Sequence, residues 1–170
     1  ELAHANLKLY GAAVDVALGN WLLKAEVAHI TGLKYFNTAG ETYSRTDVGA
    51  GIEFSGFSEA MLSLEVVQRH IHDYDDVLED EPDNLKRVST QSAAMLTKTW
   101  LNESLSLTIL ASAFGTDFKK GSFQRYELAY DISDGLLVKG GWVAYQSGST
   151  NGFNNIGDND RLFLECKYSF

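Results

Sequence analysis

Hydrophobic residues recur at every second position along this chain, and helical spacing is not sustained anywhere. Around its middle, Leu105, Leu107, Ile109, Ala111 and Ala113 share one parity, opposite serines, a threonine and a leucine. A period of two places such residues on one face of a β-strand. The pattern therefore predicts an all-β protein.

Nine segments of strand length follow from this pattern, and neither a linker nor a change of composition separates them. We therefore predict a single domain over residues 1–170. The segments are Leu7 to Ala17, Trp21 to Leu33, Arg45 to Phe54, Ala60 to Tyr74, Val88 to Trp100, Ser104 to Phe114, Ser122 to Ile132, Leu136 to Gln146 and Arg161 to Phe170.

Short and long connections alternate between these segments. Residues 18–20, 55–58, 101–103 and 133–135 read as tight hairpin turns, whereas stretches such as DDVLEDEPDNLKR and SGSTNGFNNIGDND read as long polar loops. In an up-and-down meander, this alternation collects the tight turns at one end of the strands and the long loops at the other. Outer-membrane barrels arrange their periplasmic turns and extracellular loops in this way.

Alternation fits two architectures, which differ in where the apolar face points. A soluble sandwich or barrel turns that face inward, whereas a membrane barrel turns it toward lipid and keeps its polar side chains in the lumen. Aromatic residues on the apolar parity favour the membrane barrel, because amphipathic rings prefer the headgroup level. The predicted aromatic girdle and C-terminal assembly signal comprise Trp21, Phe54, Trp100, Trp142, Tyr168 and Phe170.

Charge and composition exclude other classes of function. The net charge of −9 argues against nucleic acid as a partner, because phosphate binding needs a basic patch. No run of 18 apolar residues is present to form a transmembrane helix. The opening ELAHANLKLY is not a signal peptide, so we expect such a segment to have been removed or to lie upstream. The lone Cys166 reads as an apolar side chain on a strand face.

The last strand, RLFLECKYSF, has an alternating apolar pattern that ends in Tyr168 and Phe170. It resembles the C-terminal signal that the bacterial barrel-assembly machinery recognises. The stretches GNWLLKAEVAHITGLKY, SLEVVQRHIHDYDD, LTILASAFGTD and GGWVAYQSG also resemble the C-terminal part of a large proteobacterial outer-membrane family. That family is known mainly as a domain of unknown function. The resemblance implies an outer-membrane location and an association with envelope transport, including efflux-type pumps and a periplasmic lipoprotein.

Strand parity adds an expectation about completeness. If the C terminus lies on the periplasmic side, counting back nine strands places the start of the first strand on the outer side. Single-chain bacterial barrels have an even number of strands, and an unpaired sheet edge in lipid costs several kcal/mol for each backbone group. We therefore expect the chain to be part of a larger barrel, completed by N-terminal strands or by a second chain.

Charged residues of both signs fall on the predicted lumen parity. In a wide barrel they would line a water-filled passage that sorts solutes by charge, whereas in a small barrel they would pair in a packed interior. The residues predicted to line the lumen are Asp15, Lys24, Glu26, Asp47, Glu53, Glu65, Arg69, Arg125, Glu127, Lys139, Glu165 and Lys167.

The stretch RHIHDYDD suggests a catalytic alternative, a hydrolase sited at the outer rim. Parity argues against it, because His70 and His72 face the lipid interface whereas Arg69, Ile71 and Asp73 face the lumen. Neither a G-x-S-x-G nor an H-E-x-x-H motif is present. We therefore expect a hydrated rim here, with no catalytic residue and no cofactor.

The loop from Asp73 to Asp83 is rich in acids that could hold a divalent ion or join the ion network of lipopolysaccharide. It is not an EF-hand, because Leu78 stands where the motif needs Gly and Asn84 where it needs Glu. A solvated acidic loop without a metal is the simpler interpretation, since like charges repel and stay hydrated.

Together these patterns predict an outer-membrane β-barrel, a channel or transport component that passes small molecules. A preference for hydrophobic solutes is implied by the family resemblance alone. The alternatives are the rim-sited hydrolase and a structural or adhesive barrel. The expected partners are the lipid bilayer with its lipopolysaccharide, the assembly machinery and a periplasmic lipoprotein or pump.

Overall fold

The computed structural model describes residues 6–38, 40–116 and 119–170, in which nine strands form one antiparallel sheet in sequence order. One turn of 3₁₀ helix, Asp76–Asp80, lies between the fourth and fifth strands. The strands are β1 (Lys8–Leu18), β2 (Trp21–Leu33), β3 (Tyr43–Phe57), β4 (Ala60–His72), β5 (Val88–Trp100), β6 (Leu105–Phe114), β7 (Ser122–Ser133), β8 (Leu136–Gln146) and β9 (Arg161–Tyr168).

The predicted all-β, up-and-down arrangement is confirmed, and β2, β5 and β8 begin and end at the predicted residues. The second tight turn was predicted three residues too early. Strand β3 continues to Phe57 because a bulge shifts its register after Phe54, and the two rings pack edge to face at 4.9 Å. Glu59, with a φ of 52°, then reverses the chain.

The turn before β8 requires glycine. Gly135 has a φ of 87°, and a Cβ at this position would lie 2.4 Å from the carbonyl oxygen of Ser169. The backbone N–H of Ser169 donates to the carbonyl of Gly135 at 2.7 Å. This contact holds the residues that follow β9 against the turn.

Cross-strand register gives the sheet two chemically distinct faces. Residues that pair directly across neighbouring strands lie on the same face of the sheet. One row of such paired apolar residues crosses all nine strands, and we call the face on which it lies the apolar face. The row is Leu18, Trp21, Phe54, Leu62, Leu96, Ile109, Tyr126, Trp142 and Leu162. It begins beside a tight turn on β1 and ends near the loop end of β9, a stagger typical of tilted barrel strands.

The sheet is not closed. Strand β1 pairs with β2 and strand β9 with β8, so β1 and β9 are its two edges. Both edge strands run from the long-loop end to the tight-turn end, because eight antiparallel pairings separate them. A closed transmembrane barrel therefore stays a prediction.

Strand and loop residues together build a small hydrophobic core on the opposite, polar face. Tyr43, Ile71 and Leu78 are buried there. Leu78 belongs to the 3₁₀ turn, which begins where the Asp75 carboxylate accepts a hydrogen bond from the backbone N–H of Val77 at 3.0 Å. Partly buried neighbours complete this core, namely Leu33, Tyr35, Tyr74 and Leu85. The core fastens the loop between β4 and β5 to the sheet.

Candidate functional site

All the residues predicted to line a lumen lie on the polar face. Asp15, Lys24 and Glu65 lie in one cross-strand row, in which the β3 residue is Gly51. In the next row of this face, Glu26 on β2 lies opposite Gly49 on β3. A Cβ at Gly49 would lie 2.8 Å from the Cγ atom of Glu26. Glycine therefore lets the carboxylate side chain of Glu26 lie flat across the sheet.

Asp47 is the centre of a charge cluster near the long-loop end. Its carboxylate accepts from the guanidinium of Arg45 at 2.9 Å and from Arg69 at 3.4 Å. Arg45 was not predicted as a lumen residue, and its Nε atom is buried without a hydrogen-bond partner in the described part of the chain. Two guanidinium groups thus share one carboxylate.

Further ion pairs continue across the polar face. Lys24 pairs with Glu53, Lys139 pairs with Glu165 at 3.2 Å, and Arg125 pairs with Glu127. The guanidinium of Arg125 also lies 4.9 Å from the centre of the Phe163 ring. The remaining predicted residue, Lys167, lies opposite Leu137 near the tight-turn end. These charged groups are partly exposed, so their ion pairs contribute little to the stability of the fold. Their main effect is on the electrostatic potential of the polar face.

A cavity of about 370 Å³ lies at the loop end of the polar face. Its floor is formed by β4 and β5, and residues of the loops that follow β4, β6 and β8 form its walls. The side-chain amide of Asn151 donates to the carbonyl of Pro82 at 2.6 Å, which joins the last long loop to the loop after β4. The charged residues that line the cavity are Arg69, Lys86, Lys120 and Asp83. Cations therefore outnumber acids around this cavity.

The acidic loop is folded back onto the protein, and six of its seven acids are exposed, as a solvated loop predicts, whereas Glu81 is buried. Leu78 is fully buried and Glu81 is 5% exposed. The Glu81 carboxylate accepts hydrogen bonds from the backbone N–H groups of Phe36, at 3.1 Å, and Asn37, at 2.6 Å. A buried carboxylate is retained here because the neighbouring loop supplies two donors.

Two ionisable groups in the same loop have shifted pKa values. A hydrogen bond from Lys86, at 2.6 Å, lowers the pKa of Glu79. Burial, together with the nearby Glu79 carboxylate, raises the pKa of Tyr74 to about 12. The Tyr74 hydroxyl donates to the carbonyl of Leu85 at 2.8 Å, which favours the protonated phenol.

No metal-binding geometry is found in the described ranges: no group of three or more His, Cys, Asp or Glu side chains could hold an ion. The acids of the loop after β4 are instead divided among separate partners. Asp75 caps the 3₁₀ turn, Glu79 pairs with Lys86, and Glu81 binds the preceding loop.

Three histidines meet on the apolar face at its loop end. His70 and His72 lie on that face, with ring centres 4.9 Å apart. His29, which the sequence analysis missed, lies 5.7 Å from His72. The Thr46 hydroxyl joins two of the rings, at 2.9 Å from His29 Nδ1 and 2.7 Å from His72 Nε2. The contact between His29 and His72 could not be predicted from the sequence. A long loop connects β2 to β3, so no tight turn fixes which residues of these two strands face each other.

The predicted girdle aromatics also lie on the apolar face. The rings of Trp21 and Phe54 lie 4.3 Å apart, near the tight-turn end of the sheet. Trp142 stacks on Tyr126 at 5.6 Å and lies nearer the long-loop end of its strand. The ring of Tyr168, the last residue of β9, lies 6.4 Å from the ring of Phe170, which follows the strand. The ammonium group of Lys98 lies 5.7 Å from the Trp100 ring.

Comparisons of this chain with protein-family models, with curated proteins and with solved structures find no match. No helix within residues 6–38, 40–116 and 119–170 is long and apolar enough to cross a membrane.

Proposed function

We propose that this chain forms part of the wall of a bacterial outer-membrane β-barrel that passes small molecules. The segregation of charge between the two faces of the sheet supports this proposal most strongly. Among the strand residues, every Asp, Glu, Arg and Lys lies on the polar face except Lys8 and Lys98. The large side chains of the apolar face remain exposed, for example Val48 at 51% and Leu128 at 50%. A face of this kind requires an apolar environment.

The position of Lys98 supports the same orientation. It lies on the apolar face close to the tight-turn end, and its ammonium group donates to the carbonyl of Ser58 in the β3–β4 turn. Its long apolar stem covers the sheet while its charge reaches the end of the strand. Lysines near a membrane interface extend toward water in this manner.

Closure of the barrel needs additional strands. Because β1 and β9 run in the same direction, a direct pairing between them would be parallel, either within one chain or with a second copy in the same membrane orientation. An odd number of further strands would close the sheet with antiparallel pairs only. These strands would also satisfy the backbone groups at both edges, which cost several kcal/mol each in lipid.

The polar face is then the wall of the passage. Its ion pairs form a charged surface along the strands, and the loop-end cavity beside Arg69 forms a vestibule at the outer end. Rings of charged side chains select solutes by charge in other channels. The hydrophobic solutes, the lipoprotein or pump partner and the assembly machinery are proposed from the sequence resemblance alone.

Conductance across a planar bilayer tests this function, using the barrel that contains the chain together with its closing strands. We expect stable channels whose preference for anions increases in Asp47→Asn, because that change removes the acid shared by Arg45 and Arg69. Asp131→Asn, near the tight turn before β8, serves as a control of equal charge change outside the vestibule. Closed barrels without conductance would contradict the passage.

A further inference from the structure

The three histidines and Thr46 form a compact group that we call the histidine cluster. Cross-strand pairing places His29, Thr46 and His70 in one row of the apolar face, with His72 in the next row. Thr46 lies between His29 and His72 and contacts one nitrogen of each ring. The other ring nitrogens of the three histidines have no hydrogen-bond partner within the described ranges.

The side chains around the histidine cluster are one cation, several neutral hydroxyls and one valine. Tyr10 lies beside His29 on β1, and the row of His72 contains Lys8, Thr31 and Ser44; on β5, the neighbour of His70 is the uncharged Val88. No Asp or Glu lies on the apolar face of any described strand. The acids next to the cluster along the chain are Asp47, which lies on the polar face, and Asp73, which follows the end of β4. An anion would therefore meet donors here and no strand carboxylate.

The histidine cluster lies at the boundary of the apolar band. From Trp21 to His29, β2 rises about 26 Å at about 3.3 Å per residue. With the tilt of about 40° that is usual for barrel strands, the vertical distance is about 20 Å, close to the height of the apolar band in outer-membrane barrels. If Trp21 marks one interface, the histidine cluster lies near the other.

We propose that the histidine cluster and Lys8 bind the phosphate of an anionic lipid headgroup in the outer leaflet. This inference rests on the proposed function, which orients the apolar face toward lipid. The acyl chains lie along Val27, Val48 and Val66, below the cluster. The phosphate oxygens accept from imidazole N–H groups and from the Lys8 ammonium. A free phosphate ion would contact only the histidine cluster and Lys8, and not the valines below them.

Tautomers decide which imidazole rings can donate to the phosphate. The Thr46 hydroxyl has a single hydrogen, so at least one of the two rings that contact it donates its own N–H to the Thr46 oxygen. A ring that instead accepts the Thr46 O–H carries its N–H on the other nitrogen and can donate it to a phosphate oxygen, as can the N–H of His70.

Imidazole ¹⁵N NMR on the barrel that contains the chain together with its closing strands, in neutral detergent micelles, tests the site directly. Short-chain phosphatidylglycerol should shift the ring signals of His29, His70 and His72, whereas short-chain phosphatidylcholine and inorganic phosphate at equal concentration should not. Equal shifts with phosphatidylcholine, shifts with inorganic phosphate alone, or no shifts would each overturn the assignment.

A binding measurement with fluorescent phosphatidylglycerol supplies the second test. The variant with His29→Gln, His70→Gln and His72→Gln should weaken binding by at least about tenfold, the effect of roughly 1.4 kcal/mol. Gln124→Ala, on the apolar face of β7, should leave binding unchanged. An unchanged dissociation constant in the triple variant would overturn the site. Neither test measures conductance, so failure of this site and failure of the passage are distinguishable.

Discussion

Glu81 and Asn37 lie 44 positions apart in the chain, yet the carboxylate of Glu81 accepts a hydrogen bond from the backbone N–H of Asn37 at 2.6 Å. This bond connects the loop between β2 and β3 to the loop between β4 and β5. The two loops cover the end of the polar face where the vestibule lies. A single buried carboxylate therefore holds the outer end of the proposed passage in one arrangement.

Replacing Glu81 with Gln should loosen both loops. The amide offers only one acceptor and turns an N–H₂ group toward a backbone donor, a buried mismatch that costs roughly 1–3 kcal/mol. Limited proteolysis should cut residues 34–42 and 73–87 faster than in the unchanged chain. Asp80→Asn is the matched control, because Asn37 contacts only the backbone carbonyl of Asp80. Equal cleavage of the two variants would contradict this role for Glu81.

Leu78→Ala should open the loop after β4 while the strands stay paired. The Leu78 side chain is fully buried against Tyr43 and Ile71, and emptying such a site typically costs about 2–5 kcal/mol. Hydrogen exchange should show faster exchange of the Leu78 and Leu85 backbone amides, with protection retained in β4. Asp76→Ala, exposed in the same 3₁₀ turn, should change neither. Uniform loss of protection in all strands would show instead that this core supports the whole sheet.

Tyr74 should be the tyrosine that ionises last, after Tyr35 and Tyr43, whose pKa values burial also raises. Its folded pKa of about 12 lies above the usual value near 10, so the fold favours the protonated phenol. The associated stability is present below about pH 10 and is lost as the pH rises toward about 12. A spectrophotometric titration should show a late tyrosinate step that Tyr74→Phe removes and Tyr130→Phe retains. A late step that persists in Tyr74→Phe would contradict this assignment.

Neighbouring valines on β4 provide a matched test of the two faces. Val66 is 43% exposed on the apolar face and Val67 is 40% exposed on the polar face. Lysine at the middle of a lipid-facing surface costs about 2–4 kcal/mol, whereas lumen positions tolerate it. Val66→Lys should therefore lower the free energy of unfolding in lipid vesicles by that amount, and Val67→Lys should change it little. Equal losses would mean that the two faces share one environment.

Strand positions could be predicted from sequence because alternation and tight turns are local signals. The β8 strand begins after Gly135, where a positive φ is required, and it was placed to the residue. The bulge after Phe54 was missed, because it depends on how the Phe57 ring packs rather than on the turn residues themselves. The lumen set was assigned to one face by parity, and register places all of it on the polar face.

Contacts across long loops could not be predicted in the same way. His29 meets His72 only through the β2–β3 register, which no tight turn fixes. The burial of Glu81 depends on donors from the other loop, and nothing in the local run of acids signals it. Arg45 is the first residue of the third predicted segment and was not assigned to the lumen set. Its ion pair with Asp47 was therefore not predicted.

In the proposed barrel, the apolar face contacts hydrocarbon and the polar face contacts water. Spin labels at single cysteines, introduced one at a time from Leu62 to Arg69 in a Cys166→Ser background, measure this directly in lipid vesicles. We predict that oxygen collision is high at Leu64 and Val66, and that a water-soluble nickel complex reaches Glu65 and Val67, with a period of two. Low access of both reagents at Leu64 and Val66, as in a packed protein interior, would contradict the account.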